Sequence, residues 1–327
     1  MKTIVTGGTG FIGTHLINRL HECGHDITCL AKDRANAARF EESGVKLVEC
    51  DLNEPSTYQR HLDGAEMIFH LAGVTRAKRT NDYYEGNYLA TKHFVEACLK
   101  SPHLKRFICI SSLTAIGPRR NGEEITESAE YHPVSHYGKS KMMAELEVLR
   151  AADRLPATVI RPAAVYGPGD RDLYQYYKTI RLHIGLIFGR TRKYLNMVYV
   201  SDLVDGIILA AGSNLAEGEI FLLGSDKNYS TEEICNTIAL VEHVHPVKVR
   251  IPEYMGYVVG AVAGAVGKCT GAATLFNVQK AREAAQTAWT CSIEKARRIL
   301  DFQPKIPLDE GIAMTYDWYR KNGWLPS

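Results

Sequence analysis

Tyr137 and Lys141 stand four residues apart in Tyr137-Gly138-Lys139-Ser140-Lys141, a spacing that puts both side chains on one face of a helix. A phenol ordinarily titrates near ~10. An ammonium beside it stabilises the phenolate and makes the group usable as an acid or base near neutrality. Taken alone, Tyr-x-x-x-Lys also describes an ordinary exposed helix pair. Ser112 adds context, because it follows the strand-like run Phe107 to Ser111 (FICIS). A hydroxyl just past the carboxyl end of a parallel strand faces the ligand crevice, where it can hold a substrate oxygen against Tyr137. Its bland alternative is a helix or turn cap. Ser112, Tyr137 and Lys141 are therefore the expected catalytic set.

A second constellation opens the chain. Gly7-Gly8-Thr9-Gly10-Phe11-Ile12-Gly13 follows the run Thr3 to Thr6 (TIVT) and leads into the helical pattern Phe11 to Cys23. Gly8, Gly10 and Gly13 satisfy the dinucleotide spacing. Glycine is needed there so that the backbone can turn tightly and let a pyrophosphate approach a helix N-terminus. The strand–turn–helix context is what lifts this motif above chance. At the end of the second strand an Asp or Glu would bond the ribose 2′-hydroxyl of NAD. This chain reads Leu30-Ala31-Lys32-Asp33-Arg34 instead, with Ala31 at the acid's position. Lys32 and Arg34 favour a 2′-phosphate, hence NADP over NAD; in the alternative both cations face water and Asp33 serves the ribose.

These residues need a particular scaffold. Strand-like runs at Thr3 to Thr6, Ile27 to Leu30, Val45 to Cys50, Met67 to Leu71, Phe107 to Ser111 and Ala157 to Arg161 alternate with helical patterns at Phe11 to Cys23, Tyr88 to Lys100 and Tyr137 to Ala152. Such alternation implies an α/β fold with a doubly wound parallel sheet, covered on both faces. Beyond Pro168 the rhythm breaks into mixed short elements, except that Ser201 to Gly212 and Glu219 to Leu223 read as a further helix and strand. The expected division is a nucleotide-binding domain at 1–168 plus 201–227 and a smaller, discontinuous substrate lobe at 169–200 plus 228–327.

Bulk properties exclude several classes. The net charge of +2 gives no field for nucleic acid or an anionic surface, and the short clusters at Arg119-Arg120 and Arg190 to Lys193 read as solvated loop charges. The eight cysteines form no Cys-x-x-Cys pair and meet no histidine cluster at zinc spacing, so no metal is expected and a reducing cytoplasm fits. No signal peptide is visible, and the apolar stretch Tyr254 to Gly267 is too short to span a bilayer. The stretch from Pro252 to Gly267 reads equally as a packed helix, a dimer face or a substrate lid.

The glycine turn (Gly7, Gly10, Gly13), Ser112, Tyr137 and Lys141 together resemble the extended short-chain dehydrogenases/reductases, the NAD-dependent epimerase/dehydratase family. Further segments carry the resemblance along the chain: Asp51-Leu52, Leu71-Ala72-Gly73, Asn87 in NYLATKHFVEAC, Arg161-Pro162, Val165 in the run to Tyr166-Gly167-Pro168-Gly169-Asp170, and Tyr199-Val200-Ser201-Asp202-Leu203. The resemblance implies that Tyr137 is the acid/base, that Lys141 binds the nicotinamide ribose and tunes Tyr137, and that Ser112 polarises the reacting oxygen. It also implies cofactor contacts from Gly7, Gly10, Phe11, Ile12, Gly13, Asp51, Leu52, Leu71, Ala72, Gly73, Pro162 and Val165, and a homodimer. Departures choose the subgroup. Sugar-nucleotide 4-epimerases carry Asn and Arg where Ala164 and Leu195 stand, and 4,6-dehydratases carry Asp-Glu where Leu113-Thr114 stand. RPAAVYGPGD instead is similar to the 3β-hydroxysteroid dehydrogenase and dihydroflavonol reductase group. The expected function is reversible hydride transfer between NADP(H), or NAD(H), and an apolar secondary alcohol or ketone. Its alternatives are a 4-epimerase with tightly held NAD and a catalytically silent NADP sensor; the intact Ser112, Tyr137 and Lys141 argue against the sensor.

Overall fold

The structure, a computed structural model, describes residues 1–33, 40, 44–119, 123–189, 191–270 and 278–326, those of 262–270 by their backbone course alone. Seven parallel strands form the central sheet: β1 (Lys2–Thr6), β2 (Asp26–Ala31), β3 (Lys46–Glu49), β4 (Met67–His70), β5 (Arg106–Ile110), β6 (Ala157–Pro162) and, after the short β7 (Ala164–Tyr166), β8 (Ile184–Phe188) and β9 (Tyr194–Tyr199) of other sheets, β10 (Ile220–Leu223). Their order across the sheet is β10-β6-β5-β4-β1-β2-β3. The winding reverses beside β1, whose Thr6 pairs with Leu30 of β2 on one side and with His70 of β4 on the other. Ligands of doubly wound sheets bind in the crevice at such a switch point, off the carboxyl ends of the strands. The expected doubly wound parallel sheet is therefore present.

The sheet's strands are apolar on both sides because both faces are covered. One face carries α1 (Phe11–Glu22), with Leu16, Ile17 and Leu20 buried at helical spacing, and α7 (Val200–Gly212), with Leu203, Val204 and Ile207 buried. The other carries α3 (Ala90–Cys98) and α5 (His136–Arg150), packed through Phe94, Val95, Cys98 and Val148. The chain reaches α3 through α2 (Thr80–Tyr83) and a π-helical turn at Tyr84–Leu89. The helix expected from Tyr88 onward thus starts a full two turns earlier. Its opening residues, Thr80-Asn81-Asp82, are polar and give no apolar stripe to read. A one-turn α4 (Leu113–Ile116) follows β5.

The remaining elements are α6 (Arg171–Arg181), β11 (Asn228–Ser230), α8 (Thr231–Val241), β12 (Val247–Ile251), α9 (Glu253–Thr270), α10 (Val278–Ala285), β13 (Ala288–Trp289), α11 (Glu294–Leu300) and α12 (Leu308–Lys321). Strands β11, β9 and β13, with β7 beside β9, make a second sheet, and β12 pairs with β8. Where the sequence suggested mixed short elements, α6, α8, α9 and α12 are full helices. The buried faces of α6, α8 and α12 together mix tyrosine with aliphatics: Leu173, Tyr177 and Ile180 meet Ile234, Ile238, Ile312 and Tyr319 in one cluster. Tyrosine at core positions blurred the apolar period. Ile293, Ala296, Leu300 and Phe302 pack instead into the core under α1 and α7. On that packing we propose that 293–302 goes with the nucleotide-binding layer rather than with the substrate lobe. No helix among the described residues is long and apolar enough to cross a membrane.

Candidate active site

The glycine turn closes against the loop after β4. Gly7 has φ +70°, and a Cβ added to it would stand 2.6 Å from the Ala72 amide nitrogen and from the Leu71 carbonyl carbon. A Cβ on Gly13 would meet the Gly7 carbonyl oxygen at 2.2 Å. Only glycine fits both places. Gly10 caps α1 without any side-chain hydrogen bond, and no acid stands in the first turn of the helix. Phe11 and Ile12 start the helix, so its N-terminal N–H groups and dipole meet the crevice without a competing carboxylate, as a pyrophosphate requires. Leu71-Ala72-Gly73 is held by an Ala72 N–H donated to Thr6 Oγ1 at 3.2 Å.

Beyond Gly73 the loop is pinned by a buried amide. Asn87 Oδ1 accepts from Val74 N at 2.6 Å, and its Nδ2 donates to Val74 O at 3.1 Å and to Ser140 Oγ at 2.8 Å. Asn87 lies in the π-helical turn, and such turns are often found at functional sites. Gly73 therefore sits between Asn87 and α5, with Lys141 Nζ 3.9 Å from where its Cβ would be.

At the other wing, Lys32 follows β2 and Asp51 follows β3. Lys32 is exposed, with Nζ 3.3 Å from Asp51 Oδ2. Asp51 accepts from the Asn53 backbone N–H at 2.9 Å, and this bond and Lys32 hold its carboxyl below the usual range. Leu52 is half-buried beside it. Arg34 lies outside the described residues. Pro162 ends β6, buried, and Val165 in β7 packs on the core under α1.

Ser135 caps the start of α5, its Oγ accepting from Gly138 N at 3.0 Å. One turn separates Tyr137 from Lys141. Lys141 is buried, and its ammonium donates to the Ile110 carbonyl at 2.7 Å; burial draws its pKa down. Ser112 caps α4, accepting from Thr114 N at 3.2 Å and from Thr114 Oγ1 at 2.8 Å, and its hydroxyl lies close enough to Tyr137 to draw that phenol's pKa down. Both roles weighed for this serine, cap and oxygen holder, are open to it at once. Burial pushes the Tyr137 phenol above its ordinary value; Lys280 and the Ser112 hydroxyl pull it back, while Glu283 and Tyr83 push it further up. Lowering by a neighbouring ammonium, expected from Lys141, thus comes here from Lys280, and burial outweighs it. Beneath Lys141, His70 bridges Thr6 Oγ1 and Thr91 Oγ1, each at 2.8 Å. Burial first, and then Lys141, push His70 down to about 3, so it stays neutral.

The crevice at the ends of β1, β4 and β5 thus gathers the glycine turn, Leu71 to Gly73, Ser112, Tyr137 and Lys141, while Lys32 and Asp51 lie at the β2–β3 wing. Two groups escaped the sequence reading. One is the Lys280–Glu283 pair of α10. The other is a buried network behind Ser112, in which Glu145 Oε2 accepts from Ser111 Oγ at 2.6 Å and Arg161 Nε reaches Glu145 Oε1 at 3.0 Å. Arg161 also donates to the Glu127 carbonyl and to Tyr131 Oη, both at 2.9 Å. No group of three or more acids, histidines or cysteines placed to hold a metal occurs among the described residues.

Comparison with known proteins agrees with this geometry. Residues 3–224 match the model of the NAD dependent epimerase/dehydratase family. A ceramide reductase of Caulobacter vibrioides is 29% identical over 98% of this chain and 95% of its own. A 2-alkyl-3-oxoalkanoate reductase of Shewanella oneidensis is 27% identical over 79% of this chain and 70% of its own. Among solved structures, a UDP-glucose 4-epimerase of Thermotoga maritima superposes with a TM-score of 0.79 over 98% of this chain and 99% of that one, at 22% identity, a likeness of fold. With the glycine turn, the parallel sheet and the family match in agreement, the chain belongs to the NAD-dependent epimerase/dehydratase family and is an enzyme of the short-chain dehydrogenase/reductase superfamily.

Proposed function

We propose that the chain is an NADP(H)-dependent reductase of apolar ketones, running in reverse as a dehydrogenase of the matching secondary alcohols. The observation that carries the reading is Tyr137 beside Ser112, one helical turn from the buried ammonium of Lys141, next to a glycine cradle that a single Cβ would fill. These residues fit a nicotinamide dinucleotide. Gly7, Gly10, Phe11, Ile12 and Gly13 would seat its pyrophosphate, Asp51 and Leu52 its adenine, Leu71, Ala72 and Gly73 its course along the crevice, Lys141 its nicotinamide ribose, and Pro162 and Val165 its far end. Bound there, it supplies the hydride for reduction and accepts one in oxidation.

The chain's own groups handle the proton. Ser112 holds the carbonyl oxygen against Tyr137, and the Tyr137 hydroxyl gives that oxygen its proton. The phenolate left behind is stabilised by the Ser112 hydroxyl and the nearby ammonium groups until a solvent proton replaces the one transferred.

Apolar substrates are favoured by what is missing and by what surrounds the site. Leu195 takes part in the apolar clusters of the second lobe, where an arginine would grip a sugar diphosphate. Ala164 offers no polar group. An unpartnered buried diphosphate is costly. α9 packs against α10, the helix over Tyr137, and turns Tyr254, Val258 and Val259 outward. The relatives named for ceramide and 2-alkyl-3-oxoalkanoate reduction point the same way, toward long-chain carbonyl compounds. We expect NADPH to be consumed with long-chain, aryl or steroid-like ketones, and UDP-glucose to bind weakly in calorimetry. Micromolar UDP-glucose binding, with epimerisation and no net NADPH consumption, would overturn the reductase reading; Arg192, exposed over the Tyr194 ring, is then the cation to suspect.

Cofactor choice is tested apart. The exposed Lys32–Asp51 pair is worth at most about 1 kcal/mol, so Lys32 can leave Asp51 for a 2′-phosphate. NADPH should bind at least tenfold more tightly than NADH, about 1.4 kcal/mol. Lys32→Ala with Arg34→Ala should erase that difference and spare NADH. Equal dissociation constants in the wild type would refute the NADP assignment.

A further inference from the structure

The catalytic helix is clamped by a helix far away in the chain. Ser135 Oγ donates to Glu283 Oε1 at 2.6 Å across 148 positions, and the His136 backbone N–H donates to Gln279 Oε1 at 2.9 Å. Between these two anchors on α10 comes Lys280, whose Nζ lies 6.0 Å from the centroid of the Tyr137 ring and 3.2 Å from Glu283 Oε2. The Trp289 indole N–H donates to the Glu283 carbonyl at 3.0 Å, fixing the end of the clamp. Thus one ammonium and one carboxylate from the second lobe are held against the start of the helix that bears the reacting hydroxyl.

We propose that Lys280 and Glu283 are positioning residues of opposite effect, which set the acidity of Tyr137 from α10 and so tie proton transfer to the docking of α10 on the catalytic helix. The inference rests on Tyr137 as the acid/base. Lys141, one turn along the same helix, donates from its ammonium to the Ile110 carbonyl at 2.7 Å. The other groups facing Tyr137 are accounted for. Tyr83 lies 6.2 Å away, ring to ring, on α2, and Ser112 acts on the phenol from just past the end of β5. His136, on the same helix, is held by Tyr84 Oη at 2.9 Å. Asp172 on α6 acts on Lys280 and is itself paired with Arg76. A cation near a phenol stabilises phenolate and an anion opposes it; at this distance the effect is of order one pH unit.

The test is the pH profile of kcat/KM, which reports groups of the free enzyme. Lys280→Met should move the Tyr137 limb upward by about one pH unit, Lys280→Arg should restore it, and Glu283→Gln, which can still accept from Ser135, should move it downward. A merely structural clamp would lower rates in both variants with no opposite movement of the limb. Difference titration of phenolate absorbance, each variant against its own Tyr137→Phe partner, gives the same readout without turnover. An unmoved limb in Lys280→Met, or two shifts of one sign, would overturn the proposal. If Tyr137→Phe keeps its activity, the acid/base reading itself falls, a separate outcome.

Discussion

Tyr137→Phe should lower kcat by ~10²–10⁴ while the protein stays folded and keeps its affinity for cofactor. The magnitude is that of general acid catalysis by one positioned group. The substitution removes a single oxygen. The ring keeps its place beside Tyr83 and under Lys280, and Ser112 still has Thr114 as a partner, so little stability is at stake. Lys141, buried on the Ile110 carbonyl, and the glycine turn are untouched, so binding should survive. Dissociation constants by fluorescence, beside steady-state rates in both directions, check both halves; turnover within threefold of wild type would remove Tyr137 from the chemistry. The wild-type profile has a sign of its own. With the phenol held above its ordinary value by burial, the hydroxyl stays protonated through neutrality. Ketone reduction, which needs the acid, should persist until the phenol ionises at alkaline pH, and alcohol oxidation, which needs the base, should rise there.

What could be read in the chain depended on whether the message was local. The glycine turn and the Ser112, Tyr137 and Lys141 set were legible because each depends on short spacing: a strand meeting a helix, a hydroxyl at a strand's end, one helical turn. Nothing near Lys280 marks it out, because its meaning comes from docking against Ser135 and His136, more than a hundred residues earlier. Asn87 was noticed in its motif, but the reason for an amide appears only when its two ends bridge Val74 and Ser140. Glu145 gave no signal either, being one acid in a helix otherwise read for Tyr137 and Lys141. The helices beyond Pro168 stayed hidden because Tyr177 and Tyr319 serve as core residues through hydroxyls bonded to the Ile312 and Asp170 carbonyls. A reading that sorts side chains as apolar or polar misplaces such tyrosines.

Arg161→Met should destabilise the fold by about 3–5 kcal/mol, the usual cost of leaving one member of a buried ion pair alone. Arg161 and Glu145 are 1% exposed each, and no water-facing side chain can replace the lost cation. The Ser111 and Tyr131 hydroxyls would remain as donors, at 2.6 and 2.5 Å, and they soften the loss without neutralising the carboxylate. For a chain of this size such a loss is a fall of roughly 4–7 °C in Tm. Removing the exposed pair Arg150–Glu147, 3 positions apart on the same helix, should cost under about 1 kcal/mol and serves as the control. Adding Glu145→Gln should recover part of the deficit, because a neutral amide needs no buried counter-cation. Activity should fall beyond what lost stability explains. Ser111 precedes Ser112, and Glu145 lies one turn after Lys141, so the same carboxylate that Arg161 holds ties the strand end before Ser112 to the helix that carries Tyr137 and Lys141. A misplacement of about 1 Å between such groups can cost 10²-fold. A variant with wild-type Tm in calorimetry, or one that loses stability yet keeps full kcat well below its melting range, would show that this network does not hold Ser112 and Tyr137 together.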